Sequence, residues 1–109
     1  MSDAAFETLV DAEIGAIADR LEAQLGDIVD VDYEQDVLTL ELEDGAQYVI
    51  NRQTPARQIW LSSPISGAWH YAQDENGVWR ATRGAKPMRQ LLVEELSQRL
   101  GRAVELDQP

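Results

Sequence analysis

Asn51-Arg52-Gln53-Thr54-Pro55-Ala56-Arg57-Gln58-Ile59-Trp60-Leu61-Ser62-Ser63 is the stretch that decides the fold. Thr54-Pro55 divides it. Proline has no amide hydrogen to give a ladder, and it biases the residue before it towards extended geometry. One strand therefore ends near Gln53 and the next begins at Gln58. Side chains alternate along a strand, so Ile59 and Leu61 point one way while Gln58, Trp60 and Ser62 point the other. The apolar pair belongs in a core. Trp60 is left on the outer face among amides and hydroxyls, and a tryptophan there needs a reason.

On the amino-terminal side the same period of two continues. Over residues 46–53, Tyr48 and Ile50 turn inward and Val49, Asn51 and Gln53 outward. Asp44-Gly45 is a hairpin signal, because glycine accepts positive φ. Over 37–43, Leu38, Leu40 and Leu42 turn inward; before the tight turn at Gln35-Asp36, Val29, Val31 and Tyr33 do so while Asp30, Asp32 and Glu34 face out. Earlier still the period changes. Phe6, Leu9, Val10, Ile14, Ile17, Leu21 and Leu25 recur at three- and four-residue steps, which predicts an amphipathic helix. Ser2 or Asp3 can cap it and Gly26 can end it. Asp11, Asp19 and Glu22 fall beside its apolar stripe, on the solvent edge.

On the carboxyl-terminal side, Ser63-Pro64-Ile65-Ser66-Gly67 is a loop, and 68–72 and 78–82 form another hairpin carrying Trp69, Tyr71 and Trp79. Lys86-Pro87 opens a last helix, with proline in its first turn. Met88, Leu91, Leu92, Leu96 and Leu100 are its stripe and Gly101 its stop. Val104 and Leu106 are placed to cover an open end of the core. The predicted fold class is α+β, a two-layer α/β sandwich in one domain over 1–109. Its N- and C-terminal helices pack on one face of an antiparallel sheet of about six strands, and the other face stays open.

With 109 residues and 44% hydrophobic content the chain has enough apolar material for a core. It has no cysteine, which excludes disulfides, thiolate metal sites and cysteine catalysis. No secretory signal is expected from Met1-Ser2-Asp3, and no apolar run approaches the ~20 residues that span a bilayer. A soluble intracellular protein is expected. Its charge is −11 and unevenly spread. Residues 1–44 hold fourteen acids against Arg20 alone, a net −13, and the remainder is net +2. Such a field repels nucleic acid and anionic lipid and attracts cations or basic protein surfaces. The plainer reading is a solvated, solubilising surface.

Catalytic motifs are lacking. His70 is the only histidine, no serine lies in a G-x-S-x-G context, and there is no phosphate loop or dinucleotide fingerprint. Any metal ligands must be carboxylate oxygens, which suit hard cations. Asp19 and Glu22, with Asp27, Asp30 and Asp32 after the reversal at Gly26, are the candidates; their spacing fits open, water-rich sites rather than a closed loop. Asn51, Gln53, Gln58, Trp60 and His70 share the parity of the open face, and Arg80 matches it. Amides around a large rigid aromatic describe a docking surface better than an active site.

Asn51-Arg52-Gln53-Thr54-Pro55 followed by Gln58-Ile59-Trp60-Leu61-Ser62-Ser63-Pro64 resembles the central signature of the frataxin family, whose bacterial members are called CyaY. The likeness extends to the acidic first helix, Val37-Leu38-Thr39, Asp44-Gly45, Trp79 and Leu91-Leu92. It implies a non-enzymatic, iron-binding protein of iron–sulfur cluster assembly, acting on a complex of cysteine desulfurase and scaffold protein. Weakly bound ferrous or ferric iron is implied at Asp11, Asp19, Glu22, Asp27, Asp30 and Asp32, with no organic cofactor. Asn51, Gln53, Gln58 and Trp60 are implied as the partner surface. His70 stands where mitochondrial members have arginine, as in bacterial ones, while Leu61-Ser62-Ser63-Pro64 looks closer to mitochondrial members. A bacterial cytoplasmic protein, monomeric without iron, is expected. The competing readings are a ferroxidase or iron-storage protein oxidising ferrous iron at the ridge, and an acidic mimic of nucleic acid, which leaves Trp60 unexplained.

Overall fold

The computed structural model describes residues 1–106; the last three residues of the expected domain lie outside the described ones. Chain order is α1 (Asp3–Leu25), β1 (Val29–Glu34), β2 (Val37–Leu42), β3 (Gln47–Gln53), β4 (Gln58–Ser63), β5 (Gly67–Gln73), β6 (Trp79–Ala81) and α2 (Met88–Leu100). The strands pair in sequence order β1-β2-β3-β4-β5-β6, every pair antiparallel. Both helices contribute their apolar stripes to one core with the sheet's inner face. Phe6, Val10, Ile14, Ile17, Leu21 and Leu25 come from α1, and Met88, Leu91, Leu92 and Leu96 from α2. Leu38, Leu40, Leu42, Tyr48, Ile50, Ile59, Leu61 and Tyr71 come from the strands, all buried as the alternation requires. No helix among the described residues is long and apolar enough to cross a membrane.

Local chemistry sets the boundaries. Ser2 caps α1, its hydroxyl accepting from the Ala5 amide at 3.0 Å. Gly26 ends the helix with an ordinary right-handed φ of −59°. Glycine is needed there because a Cβ would come within 2.6 Å of the Glu22 carbonyl oxygen. Pro87 is the cap of α2 rather than a residue of its first turn, and its carbonyl accepts from the Leu91 amide at 3.1 Å. The Gln35-Asp36 turn takes positive φ at both residues, +51° and +68°, without glycine. That geometry suits a right-twisted hairpin but strains side-chain-bearing residues.

Three tertiary ties were not visible in the sequence pattern. Glu13 lies on the buried side of α1, and Arg89 of α2 donates to both its oxygens at 2.9 and 2.8 Å. Glu95 gathers hydroxyls under the open end of the sheet: Tyr48 and Ser63 donate to one oxygen at 2.9 and 2.6 Å, Ser66 to the other at 2.5 Å. Ser63 in turn accepts from the amides of Ile65 and Ser66, which fixes the β4–β5 loop. The tail is clamped to α1: the Gln24 amide donates to the Glu105 carbonyl and accepts from its N–H, at 2.6 and 2.8 Å. Val104 and Leu106 are buried, as expected of a plug.

Candidate functional site

The open sheet face presents the expected residues in register. Across the strands Val37, Asn51, Trp60 and His70 form one row, and Gln53 stands opposite Gln58 at the next hairpin end. Trp60 is half-buried rather than exposed, because His70 of β5 lies flat on it with ring centroids 4.2 Å apart and planes 9° from parallel. Its indole N–H donates to Gln58 Oε1 at 2.8 Å, so both the plane and the direction of the ring are fixed. A shallow cavity of about 170 Å³ opens beside it, lined by Val49, Asn51, Ser62, Ala68 and His70 together with Trp60. Arg80 is also on this face, as matched parity expects, but Asp74 pairs with it at 2.7 Å. That pairing holds the Asp74 carboxyl below the usual carboxylate range, with the amides of Val78 and Asn76 helping.

The acidic ridge is less uniform than its sequence. Asp19 and Glu22 are exposed on α1, and the Glu22 carboxyl folds over Gly26. Asp30 and Asp32 are exposed too, but alternation puts them on the sheet face opposite the one α1 covers. The ridge therefore wraps around the β1 edge, and among the described residues no three histidine, aspartate or glutamate side chains converge on a metal-sized point. The expected approach of Asp19, Glu22, Asp27, Asp30 and Asp32 to one another stops short of a shared site. Asp27 pairs with Arg102 at 3.3 Å, with both side chains largely exposed. Asp11 accepts from Arg52 and from the Tyr33 hydroxyl, each at 3.2 Å. Burial, and then the charge of Asp11, push the Tyr33 hydroxyl up to about 12. In donor chemistry the free carboxylates fit a hard cation; in arrangement they fit one that keeps much of its water.

Two features near these surfaces were missed. Arg52 reaches back between β3 and α1 to touch three acids, although the outward parity of Asn51 and Gln53 already required an inward arginine. Trp69 has inward parity yet lies at the rim, where the Arg83 guanidinium stacks on it at 3.8 Å and its own N–H donates to Ser66. The Arg83–Trp69 pair had no periodic signal, since it joins a strand to a loop.

Residues 1–102 match the model of the frataxin-like domain. The chain is 34% identical over 108 residues to the iron–sulfur cluster assembly protein CyaY of Neisseria meningitidis, covering 99% of this chain and 98% of that protein. It is 37% identical over 107 residues to the mitochondrial frataxin of Arabidopsis thaliana, covering 93% of this chain and 57% of that longer protein. Among solved structures, frataxin from Psychromonas ingrahamii superposes with a TM-score of 0.85 at 30% identity, over 96% of this chain and 97% of that one. Trimeric frataxin from Saccharomyces cerevisiae, complexed with ferrous iron, superposes with a TM-score of 0.78 at 33% identity, over 86% and 87%. Fold and sequence agree, and the chain belongs to the frataxin-like family.

Proposed function

We propose that this protein is an iron-binding regulator or iron chaperone of iron–sulfur cluster assembly, acting without catalysis of its own in the bacterial cytoplasm. Its open sheet face docks on a complex of cysteine desulfurase and scaffold protein, and its ridge takes iron weakly as cargo. The observation that carries the reading is Trp60, clamped by Gln58 and His70 on the open sheet face with Val49, Asn51, Ser62 and Ala68 immediately around it. A large aromatic held in one orientation loses little entropy on binding, which is how interface hot spots gain affinity. Support also comes from the name of the Neisseria relative and from the ferrous complex of the yeast one. Exposed carboxylates with water between them exchange a hard cation readily, which suits delivery better than storage.

The test is a cysteine desulfurase assay on the desulfurase–scaffold complex, with this protein, with its Trp60→Ala variant, and with neither. Wild-type protein should change the rate of sulfide release, and Trp60→Ala should weaken the effect about thirtyfold in concentration, the ~2 kcal/mol of a hot spot. No change with wild-type protein overturns the reading. Catalytic oxygen consumption on adding ferrous iron to the protein alone would favour the ferroxidase instead.

A further inference from the structure

Two of the carboxylates that the family likeness assigns to metal already face an arginine, Asp11 and Asp27, and only the arginine at Asp11 is largely buried. Arg52 leaves β3 towards α1 with its side chain only 15% exposed. Its Nη1 donates to Asp11 Oδ1 at 3.2 Å and to Asp36 Oδ1 at 3.1 Å; its Nη2 donates to Asp36 Oδ2 at 2.9 Å and lies 3.7 Å from Glu7 Oε2. Asp36 is aimed there by the strained turn in which both residues have positive φ. Neighbouring hydroxyls complete the arrangement, Tyr33 donating to the same Asp11 oxygen and Thr54 to the same Glu7 oxygen at 3.3 Å.

We propose that Arg52 is a built-in counter-cation that withdraws Glu7, Asp11 and Asp36 from metal binding. The metal-accessible ridge is then Asp19, Glu22, Asp27, Asp30 and Asp32. A guanidinium is charged at every accessible pH, and its fork meets the Asp36 carboxylate with two parallel bonds. A hydrated divalent cation that took Asp11 would have to break this set and leave a largely buried positive charge short of partners. At Asp27 the competing Arg102 is exposed and its bonds are long, so the same displacement is cheap. Arg52 thus decides which acids of the ridge a metal can use, and it does so from the strand that carries Asn51 and Gln53.

This inference rests on the ridge reading, and the test keeps the two apart. Manganous ion, and ferrous ion under anaerobic conditions, are titrated into four variants beside wild type, with calorimetry and the melting temperature as readouts. Asp11→Asn should leave the affinity within about twofold, whereas Asp19→Asn with Glu22→Gln should lower it severalfold. Arg52→Met should gain an additional manganous site, with a melting temperature that falls without metal and recovers on adding it. Arg52→Met with Asp11→Asn should lose that site again. If Asp11→Asn weakens binding as much as the Asp19, Glu22 double variant, the inference is overturned and the ridge stands. If the double variant binds as wild type does, the ridge reading fails and takes the inference with it. Should Arg52→Met not fold, the Asp11→Asn comparison decides alone.

Discussion

Glu13→Gln sets two electrostatic effects against each other, and they predict opposite signs. The chain carries a charge of −11, so removing any acid relieves self-repulsion. At ~10 Å in water a unit pair is worth about 0.4 kcal/mol before screening, and a Debye length of about 10 Å cuts that further. Summed over the net charge, the relief is ~1–2 kcal/mol. Against it stands the pair with Arg89, bidentate at 2.8 and 2.9 Å, with side chains 9% and 13% exposed. At ~4 Å and an effective dielectric constant of ~20 that attraction is about 4 kcal/mol. Neutralising one side of a buried pair costs roughly 3–5 kcal/mol when the other charge is left alone, and less when, as for Arg89, it keeps another partner. The local term wins, and Glu13→Gln should destabilise by about 2–3 kcal/mol, a large part of the 5–15 kcal/mol typical of a domain. Replacing both partners with Glu13→Leu and Arg89→Met should recover most of the loss, since a packed apolar pair does as well as a buried ion pair. Urea unfolding reads the loss in Glu13→Gln, and in Glu13→Leu, Arg89→Met and the double variant it gives the coupling energy. If Glu13→Gln is neutral or stabilising, the general field outweighs the pair and the reasoning is wrong.

Trp60→Ala loses a ring stack and one surface hydrogen bond, so stability should fall by only about 1–2 kcal/mol, while Leu61→Ala, facing the core, should lose roughly 2–5 kcal/mol. Thermal melts that reverse this order would put the β4 register in error. Burial raises the Tyr48 and Tyr71 hydroxyls above the ordinary 10, with Glu95 adding to both. The folded chain then holds protons that the unfolded chain releases, so their contribution is whole below pH 10 and is lost as pH rises past it. The loss should reach at most about 1.4 kcal/mol per pH unit for each hydroxyl. Urea midpoints at pH 9, 10 and 11 should decline, and Tyr71→Phe, whose hydroxyl finds no protein partner among the described residues, should flatten the decline without loss at pH 8.

The layers were legible because period two and period 3.6 are local. Every inward residue read from Leu38 to Leu61 is buried, and Ser2 and Gly26 bound α1 as their side chains allow. What stayed hidden depends on how distant segments meet. Trp60 reads as exposed from its own strand, and only the register that sets it opposite His70 covers half of it. Asp11 and Asp30 look alike in sequence, yet one is held by an arginine 41 residues away and the other faces water. Arg89 falls beside Leu92, Leu96 and Leu100 on a wheel of α2, but no wheel shows that its partner is Glu13, 76 residues earlier. Parity did contain one unused clue, the inward Arg52 between two outward amides.

The sheet order has a consequence in time. Because each strand pairs with its neighbour in sequence, the sheet can grow hairpin by hairpin, closing only short loops at each step. The ties that span the chain are different: Glu13 waits for Arg89 and Gln24 for Glu105, separations of 76 and 81 residues. On a ribosome α1 emerges before the strands it covers, so its apolar stripe stands open until they follow. The acids beside that stripe are the part of the molecule then working, since like charge on unfinished chains keeps them apart. A ridge that acts in the folded protein also guards the chain before it has folded.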